Sequence, residues 1–208
     1  MFKFNFKILL AATAGLFAIA VSTPMAHAAT MQFVGSTQGT DFAITFDDDT
    51  TGQINVRVTS AANPNQADLL GLAFNWDGTP APSAPSDFHF VSSNTGEAIT
   101  SVCTNTLSCG GGLNFNGTGV TSFDYIVRMG AQGTQGGVYL EDFRFYVASS
   151  LSLDDALGDE FGIRAQSTGP NGNDSIKLVR FQEVPIPASG FLLLGGLAML
   201  RRRRKKAA

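Results

Sequence analysis

The chain has 208 residues, with 17 acidic and 14 basic side chains and a net charge of −3. Eight of the basic residues lie in the two terminal stretches. The interval from Ala29 to Val184 therefore keeps only Arg57, Arg128, Arg144, Arg164, Lys177 and Arg180 against all 17 acids, a net of −11. Charge of that sign repels nucleic acid and anionic surfaces and excludes both as partners. It suits solubility outside a cell, a divalent cation, or a neutral or cationic polymer.

At the N-terminus, Lys3 and Lys7 precede an apolar run over residues 8–21, and Ala26, His27 and Ala28 come before Ala29. Basic, apolar and small-residue regions in that order predict a signal peptide over residues 1–28, cleaved between Ala28 and Ala29. A permanent transmembrane helix fits less well. At about 1.5 Å per residue the run spans roughly 21 Å, short of the ~30 Å hydrocarbon core.

Residues 29–183 amount to one domain. Apolar residues recur there with period 2 and not with a sustained helical period. Phe42, Ile44 and Phe46 alternate with Asp41, Ala43 and Thr45, and Ile54, Val56 and Val58 alternate with Gln53, Asn55 and Arg57. The turn-forming residues 47–52 between them predict a hairpin with one buried face. Further strands are expected at 69–76, 123–129, 138–147, 161–165 and 176–181, with weaker patterns at 31–34, 88–91 and 99–102. Seven to ten strands separated by Gly, Asn, Ser and Pro predict an all-β, antiparallel β-sandwich, immunoglobulin-like or jelly-roll-like. One helical turn is expected near 152–157, with Ser152 as N-cap and Asp154 and Asp155 in its first turn.

Residues 79–86, with Pro80, Pro82 and Pro85, form an extended loop, and the glycines at 110–112 and 130–137 mark two more. Cys103 and Cys109 are an even pair in a chain expected to be exported, so one disulfide closing a small loop is predicted.

The C-terminus reads Val184, Pro185, Ile186, Pro187, Ala188, then an apolar stretch to Leu200, then Arg201, Arg202, Arg203, Arg204, Lys205 and Lys206. Six cations resist translocation, so this end stays cytoplasmic while a helix from about Ala188 to Leu200 sits in the bilayer. Those 13 residues reach only roughly 20 Å, which needs thinning, snorkelling or help from the proline motif. A short tail anchor and a temporary anchor that presents the motif to a membrane enzyme both fit. In either case the body of the chain lies outside.

Motif, apolar segment and basic cluster, over residues 184–206, resemble the PEP-CTERM sorting signal in its VPLPA variant, with Ile186 where leucine is usual. The resemblance implies a substrate of an exosortase, a multi-spanning transpeptidase-like enzyme of Gram-negative bacteria that make exopolysaccharide. Phe123-Asp124-Tyr125, Leu151 to Asp155, Phe161 to Arg164, Gly169 to Gly172 and Ser175 to Leu178 are similar to an ectodomain type found among PEP-CTERM proteins. That second resemblance covers residues 123–179, implies a β-rich extracellular domain and brings no catalytic residues.

Catalytic signals are poor. His89 is the one histidine between Ala29 and Val184, and no G-x-S-x-G context exists for a nucleophile. Paired carboxylates alone would allow a glycosidase, but Trp76 is the only tryptophan to line a sugar groove. No enzyme activity is expected, and no cofactor other than a candidate calcium ion. Asp47, Asp49, Thr51 and Gly52 copy the first half of an EF-hand loop, but Val58 stands where that loop needs a bidentate glutamate. Asp154, Asp155, Asp159, Glu160 and Asp174 offer other oxygen ligands.

Together these patterns predict an exported surface or matrix protein, associated with biofilm or exopolysaccharide. It is handled by signal peptidase and exosortase and held to the membrane by its C-terminal helix before processing. The alternative is a carbohydrate-binding module stacking sugars on Trp76, Tyr125, Tyr139 or Tyr146, with or without calcium.

Overall fold

The computed structural model describes residues 29–130, 138–179 and 182–184. The expected signal helix, the membrane helix and the residues from Pro185 onward lie outside the described residues, as does most of the 130–137 loop. Among the described residues, eleven strands and one short helix follow in order. They are β1 (Thr30–Thr37), β2 (Thr40–Asp47), β3 (Gln53–Ala62), β4 (Asp68–Trp76), β5 (Phe88–Ser93), β6 (Ile99–Thr106), β7 (Phe123–Met129), β8 (Asp142–Ala148), α1 (Leu153–Ala156), β9 (Leu157–Thr168), β10 (Asp174–Leu178) and β11 (Gln182–Val184).

They form two antiparallel sheets, ordered β11-β1-β2-β3-β8-β5 and β10-β9-β4-β7-β6. The pairs β6–β7, β5–β8 and β4–β9 nest inside one another and alternate between the sheets, as if one long hairpin were rolled across the core. The result is an all-β sandwich.

The predicted hairpin is β2–β3, in register from Asp47↔Asn55 to Thr40↔Ala62. Its turn closes on Gly52, whose φ of 84° only glycine adopts without strain. Phe42, Ile44, Phe46, Ile54, Val56 and Val58 all point inward and are buried. They meet Leu72, Phe74, Val127, Phe161 and Ile163 from the other sheet. Each such side chain contributes roughly 1.5–3 kcal/mol when fully buried, so this layer carries the sandwich.

A second, smaller core lies on the far side of the five-stranded sheet. Leu70, Ala73, Phe123 and Ile126 face outward there and are covered by Cys109, Leu113 and Phe115. Residues 107–120 thus run as a strap over that sheet. Two glycines make room for it. A Cβ on Gly71 would lie 2.6 Å from a Leu113 methyl carbon, and one on Gly162 would lie 2.7 Å from the Phe115 ring.

Some boundaries differ from the expected ones. The strand expected at 138–147 begins only at Asp142. Val138 is exposed while Leu140 is buried, which breaks the strand pattern, and the Leu140 amide donates to the Asp68 carboxylate at 2.9 Å and joins no ladder. The strand expected to reach residue 181 ends at Leu178, because the chain then crosses to the other sheet to form β11. Ser152 holds the N-cap position of α1 without a capping hydrogen bond from its side chain. Asp48, 105 residues earlier, accepts from the Leu153 amide instead, at 2.8 Å.

Candidate functional site

Strap and six-stranded sheet together bury both faces of β4, at the centre of the five-stranded sheet. The outer face of the six-stranded sheet remains open, and the side chains of chemical interest collect on it. Strand register arranges them in rows. The first row runs Asp47, Asn55, Tyr146, His89 across β2, β3, β8 and β5. The second runs Thr45, Arg57, Arg144, and the third Ala43, Thr59, Asp142. Each row arises because directly opposed residues on neighbouring strands share a face, and successive rows follow because residues two apart on a strand do so too.

In the first row, the His89 and Tyr146 rings stack with centroids 4.6 Å apart and planes inclined by 22°. Both are half-buried. Asn55 Nδ2 donates to Asp47 Oδ1 at 2.7 Å and to Asp49 Oδ1 at 3.2 Å, while Gln53 Nε2 donates to Asn55 Oδ1 at 2.8 Å. Partial burial raises the Asp47 carboxyl above its ordinary range, and Asp49 beside it adds to the rise. A hydrogen bond with Asp47 lowers that of Asp49.

Between the second and third rows, Arg57 grips Asp142 with two hydrogen bonds of 3.0 and 2.7 Å. Arg144 reaches the same carboxylate at 3.4 Å. The hydrogen bond from Arg57 holds the Asp142 carboxyl below its usual range, and the same bond raises the Arg57 guanidinium. A cavity of about 480 Å³ opens over this region, lined among others by Asp47, Asp49, Asn55, Arg57, Val91 and Arg144. Such a surface offers planar hydrogen-bonding groups beside an aromatic pair, at a net charge near zero.

No protein family, curated protein or solved structure matches this chain.

The residues singled out from the sequence fall in several places. Trp76 and Tyr125 leave the stacking platform: they are 7% and 5% exposed and belong to the main core. The Tyr125 hydroxyl donates to Pro82 O at 2.7 Å, and burial raises its phenol above the ordinary value. Tyr139 is half-buried outside the rows, and its carbonyl accepts from Asn94. Tyr146 stays on the open face, and His89 joins it there. The sequence pattern could have shown this, because His89 lies between Phe88 and Phe90, which share the inward face with their partners Val147 and Phe145.

Thr51 is exposed in the β2–β3 turn beyond Asp47 and Asp49, and Val58 is fully buried in the core. The turn therefore has no glutamate in the place an EF-hand requires. Asp154 and Asp155 lie in α1, Asp159 and Glu160 on β9, and Asp174 on β10. Among the described residues, no three His, Cys, Asp or Glu side chains gather as a metal ion would require.

Cys103 and Cys109 are joined, with Cα atoms 5.5 Å apart, and the bond staples the start of the strap to β6. Three cations finish the attachment by donating to strap carbonyls. Arg128 reaches Gly110 O at 2.7 Å, Arg164 reaches Gly112 O at 3.3 Å, and Lys177 reaches Asn116 O at 2.9 Å. Half the basic residues between Ala29 and Val184 are thereby engaged in holding the strap. Ala29 is the first described residue, and Val184 ends β11 opposite Gln32 of β1. Ala26, Ala28, the residues from Pro185 to Ala188 and the cluster from Arg201 to Lys206 lie outside the described residues.

Proposed function

We propose that this is an exported surface or matrix protein, without catalytic activity, that is trimmed at both ends. Signal peptidase removes residues 1–28, and an exosortase acts on the PEP-CTERM-like signal at residues 184–206. The signal's apolar helix holds the precursor in the membrane until then. One observation carries this reading most of the way. The sandwich begins with β1 at Thr30 and ends with β11 at Val184, and these strands pair edge to edge with Gln32 opposite Val184. The two expected processing junctions thus flank the domain and leave it from the same corner. Neither cut would remove a strand.

Both cysteines are oxidised to each other and His89, the one histidine between Ala29 and Val184, is stacked on Tyr146, which supports a non-catalytic role. The nested strand pairs favour a jelly-roll-like over an immunoglobulin-like kinship. Terminal sequencing and intact mass of the protein from its host test the proposal. The expected ends are Ala29 and a residue within 184–189. Secreted protein that still carries Arg201 to Lys206 sinks it.

A second reading has its own support. The His89–Tyr146 pair, set among Asn55, Arg57, Asp142 and Arg144 on an open face, suits a neutral polysaccharide, for which planar polar groups and an aromatic edge provide contacts. A calcium-dependent form would use Asp47 and Asp49. A melting temperature that rises in millimolar calcium relative to EGTA supports that form, and an unchanged one removes it.

A further inference from the structure

Asp48 is the middle of three consecutive aspartates, and its two carboxylate oxygens serve distant parts of the chain. Oδ1 accepts from the backbone nitrogen of Ala29 at 2.6 Å, and Oδ2 accepts from the Leu153 amide at 2.8 Å. The contact with Ala29 is reciprocal, because the Asp48 amide donates to Ala29 O at 3.2 Å. Among the described residues both ion pairs belong to Asp142, so Asp48 has no cationic side chain to neutralise it. Asp47, Asp49, Asp154 and Asp155 on the adjoining turn and helix make the neighbourhood more negative still.

We infer that Asp48 is the docking site for the new amino terminus that signal-peptide removal creates. The inference rests on the export reading above and on cleavage at the Ala28–Ala29 bond. Hydrolysis adds one water across that bond. Ala28 keeps the carboxylate, and the Ala29 nitrogen becomes a primary amine that is protonated at neutral pH. The atom that Asp48 already holds thereby gains a full positive charge and two more protons to donate. A hydrogen bond to a neutral amide becomes a charge-assisted ion pair with no movement of the chain.

Processing thus tightens the corner where β1 begins. The charge arrives where four other carboxylates lack one, and Asp48 passes the constraint to α1 through Leu153. β1 in turn carries β11, whose last residue opens the sorting motif, so trimming of one end firms the strand that supports the other. A terminus one or two residues longer would place its charge beyond Asp48 and leave an ordinary amide there.

Residues 29–184 hold both sheets and both cores, so the chain ending at Val184 is a fair test object. Four such proteins decide the matter: chains that begin at Ala29 or at His27, each with Asp48 or with Asp48→Asn. The expected result is a melting temperature higher by about 2–4 °C for the chain beginning at Ala29, with the difference abolished by Asp48→Asn. Equal melting of the two Asp48 chains overturns the ion pair, as does a difference that survives Asp48→Asn. If the Asp48→Asn chains do not fold, acylation of the α-amine decides instead. The docked amine should react at least about tenfold more slowly than that of the chain beginning at His27, and equal rates overturn the proposal. Terminal sequencing of the host's protein separates the two failures, because a start other than Ala29 removes the cleavage and leaves the measured pair standing.

Discussion

In the six-stranded sheet, buried and partly exposed residues alternate along β2 and β8, while β4 at the centre of the five-stranded sheet is buried at eight of nine positions. One sheet therefore has a single packed face, and the other has two. The difference traces to one segment, residues 107–120, which folds back over the five-stranded sheet and seals it with Leu113 and Phe115. Chemistry and stability have separated as a result. The centre of the sealed sheet is covered on both faces, and the open sheet keeps Tyr146, His89 and the Arg57–Asp142 pair on its outer face.

The largest effect on stability should come from unsealing the strap. Phe115 is fully buried between Phe123, whose ring lies 5.2 Å away, and the bare backbone of Gly162. Phe115→Ala should cost about 3–5 kcal/mol, read as a fall of roughly 10 °C in melting temperature. Gly162→Ala approaches the same contact from below and should cost about 1–3 kcal/mol through overpacking. Should Phe115→Ala melt like the parent, the strap is a cover without energetic weight and the comparison fails.

Next in size is the staple. Removing the Cys103–Cys109 bond by a double change to serine releases a loop of seven residues, worth about 2 kcal/mol in the chain-entropy view. Thermal melts with and without reductant should show the same loss for the parent and none for the double variant. A reductant effect on the variant would mean that something other than this bond is being reduced.

The six-stranded sheet was the more legible of the two from sequence. Its hairpin announces itself because Phe42, Ile44, Phe46, Ile54, Val56 and Val58 alternate cleanly with polar residues, as single-faced burial demands. The run at 69–76 lacks alternation, and that was itself a sign of burial on both faces. What would cover the second face could not be read, because residues 107–120 carry only Leu107, Leu113, Phe115 and Val120 as apolar side chains besides Cys109, among glycines and asparagines. Their covering role comes from the disulfide and from Arg128, Arg164 and Lys177, all contacts between distant residues. The platform suffered in the opposite way. Trp76 and Tyr125 look like sugar-stacking residues by type, but their strands are buried on both sides, so only the residues of β5 and β8 remain. Asp48 was hidden inside an aspartate run that drew attention to its two neighbours as calcium ligands.

Two carboxylates should respond to pH in opposite directions and so report on the two sheets separately. Asp142, on the open face, is held below its usual range by Arg57, so its contribution is present at neutral pH and fades as pH falls below about 4. Because the pair is well exposed, the contribution is below about 1 kcal/mol. Asp68, tucked beneath Leu140 and Gln166, is raised by burial despite their hydrogen bonds. Its contribution is present below the ordinary carboxylate range and is lost as pH rises through its raised value. Melting profiles of Asp142→Asn should therefore converge on the parent in acid, while those of Asp68→Asn should show a weaker decline on the rising limb. Parallel profiles for both variants would contradict these assignments.

The smallest expected effect on stability is at the same time the sharpest test of what the open face is for. Tyr146 is half-buried and, among the described residues, stacks on His89 alone, so Tyr146→Ala should lower stability by less than about 1 kcal/mol. Trp76→Ala, by contrast, empties a core position and should cost about 3–5 kcal/mol. In a pull-down with neutral polysaccharide at a temperature where both variants stay folded, a binding face predicts that Tyr146→Ala loses retention and Trp76→Ala keeps it. The opposite pattern would return sugar binding to the tryptophan and leave the rows across β2, β3, β8 and β5 as ordinary solvated surface. If the parent is not retained at all, the open sheet has no affinity for such polymers, and the matrix role must rest on where the protein is sorted and not on what it grips.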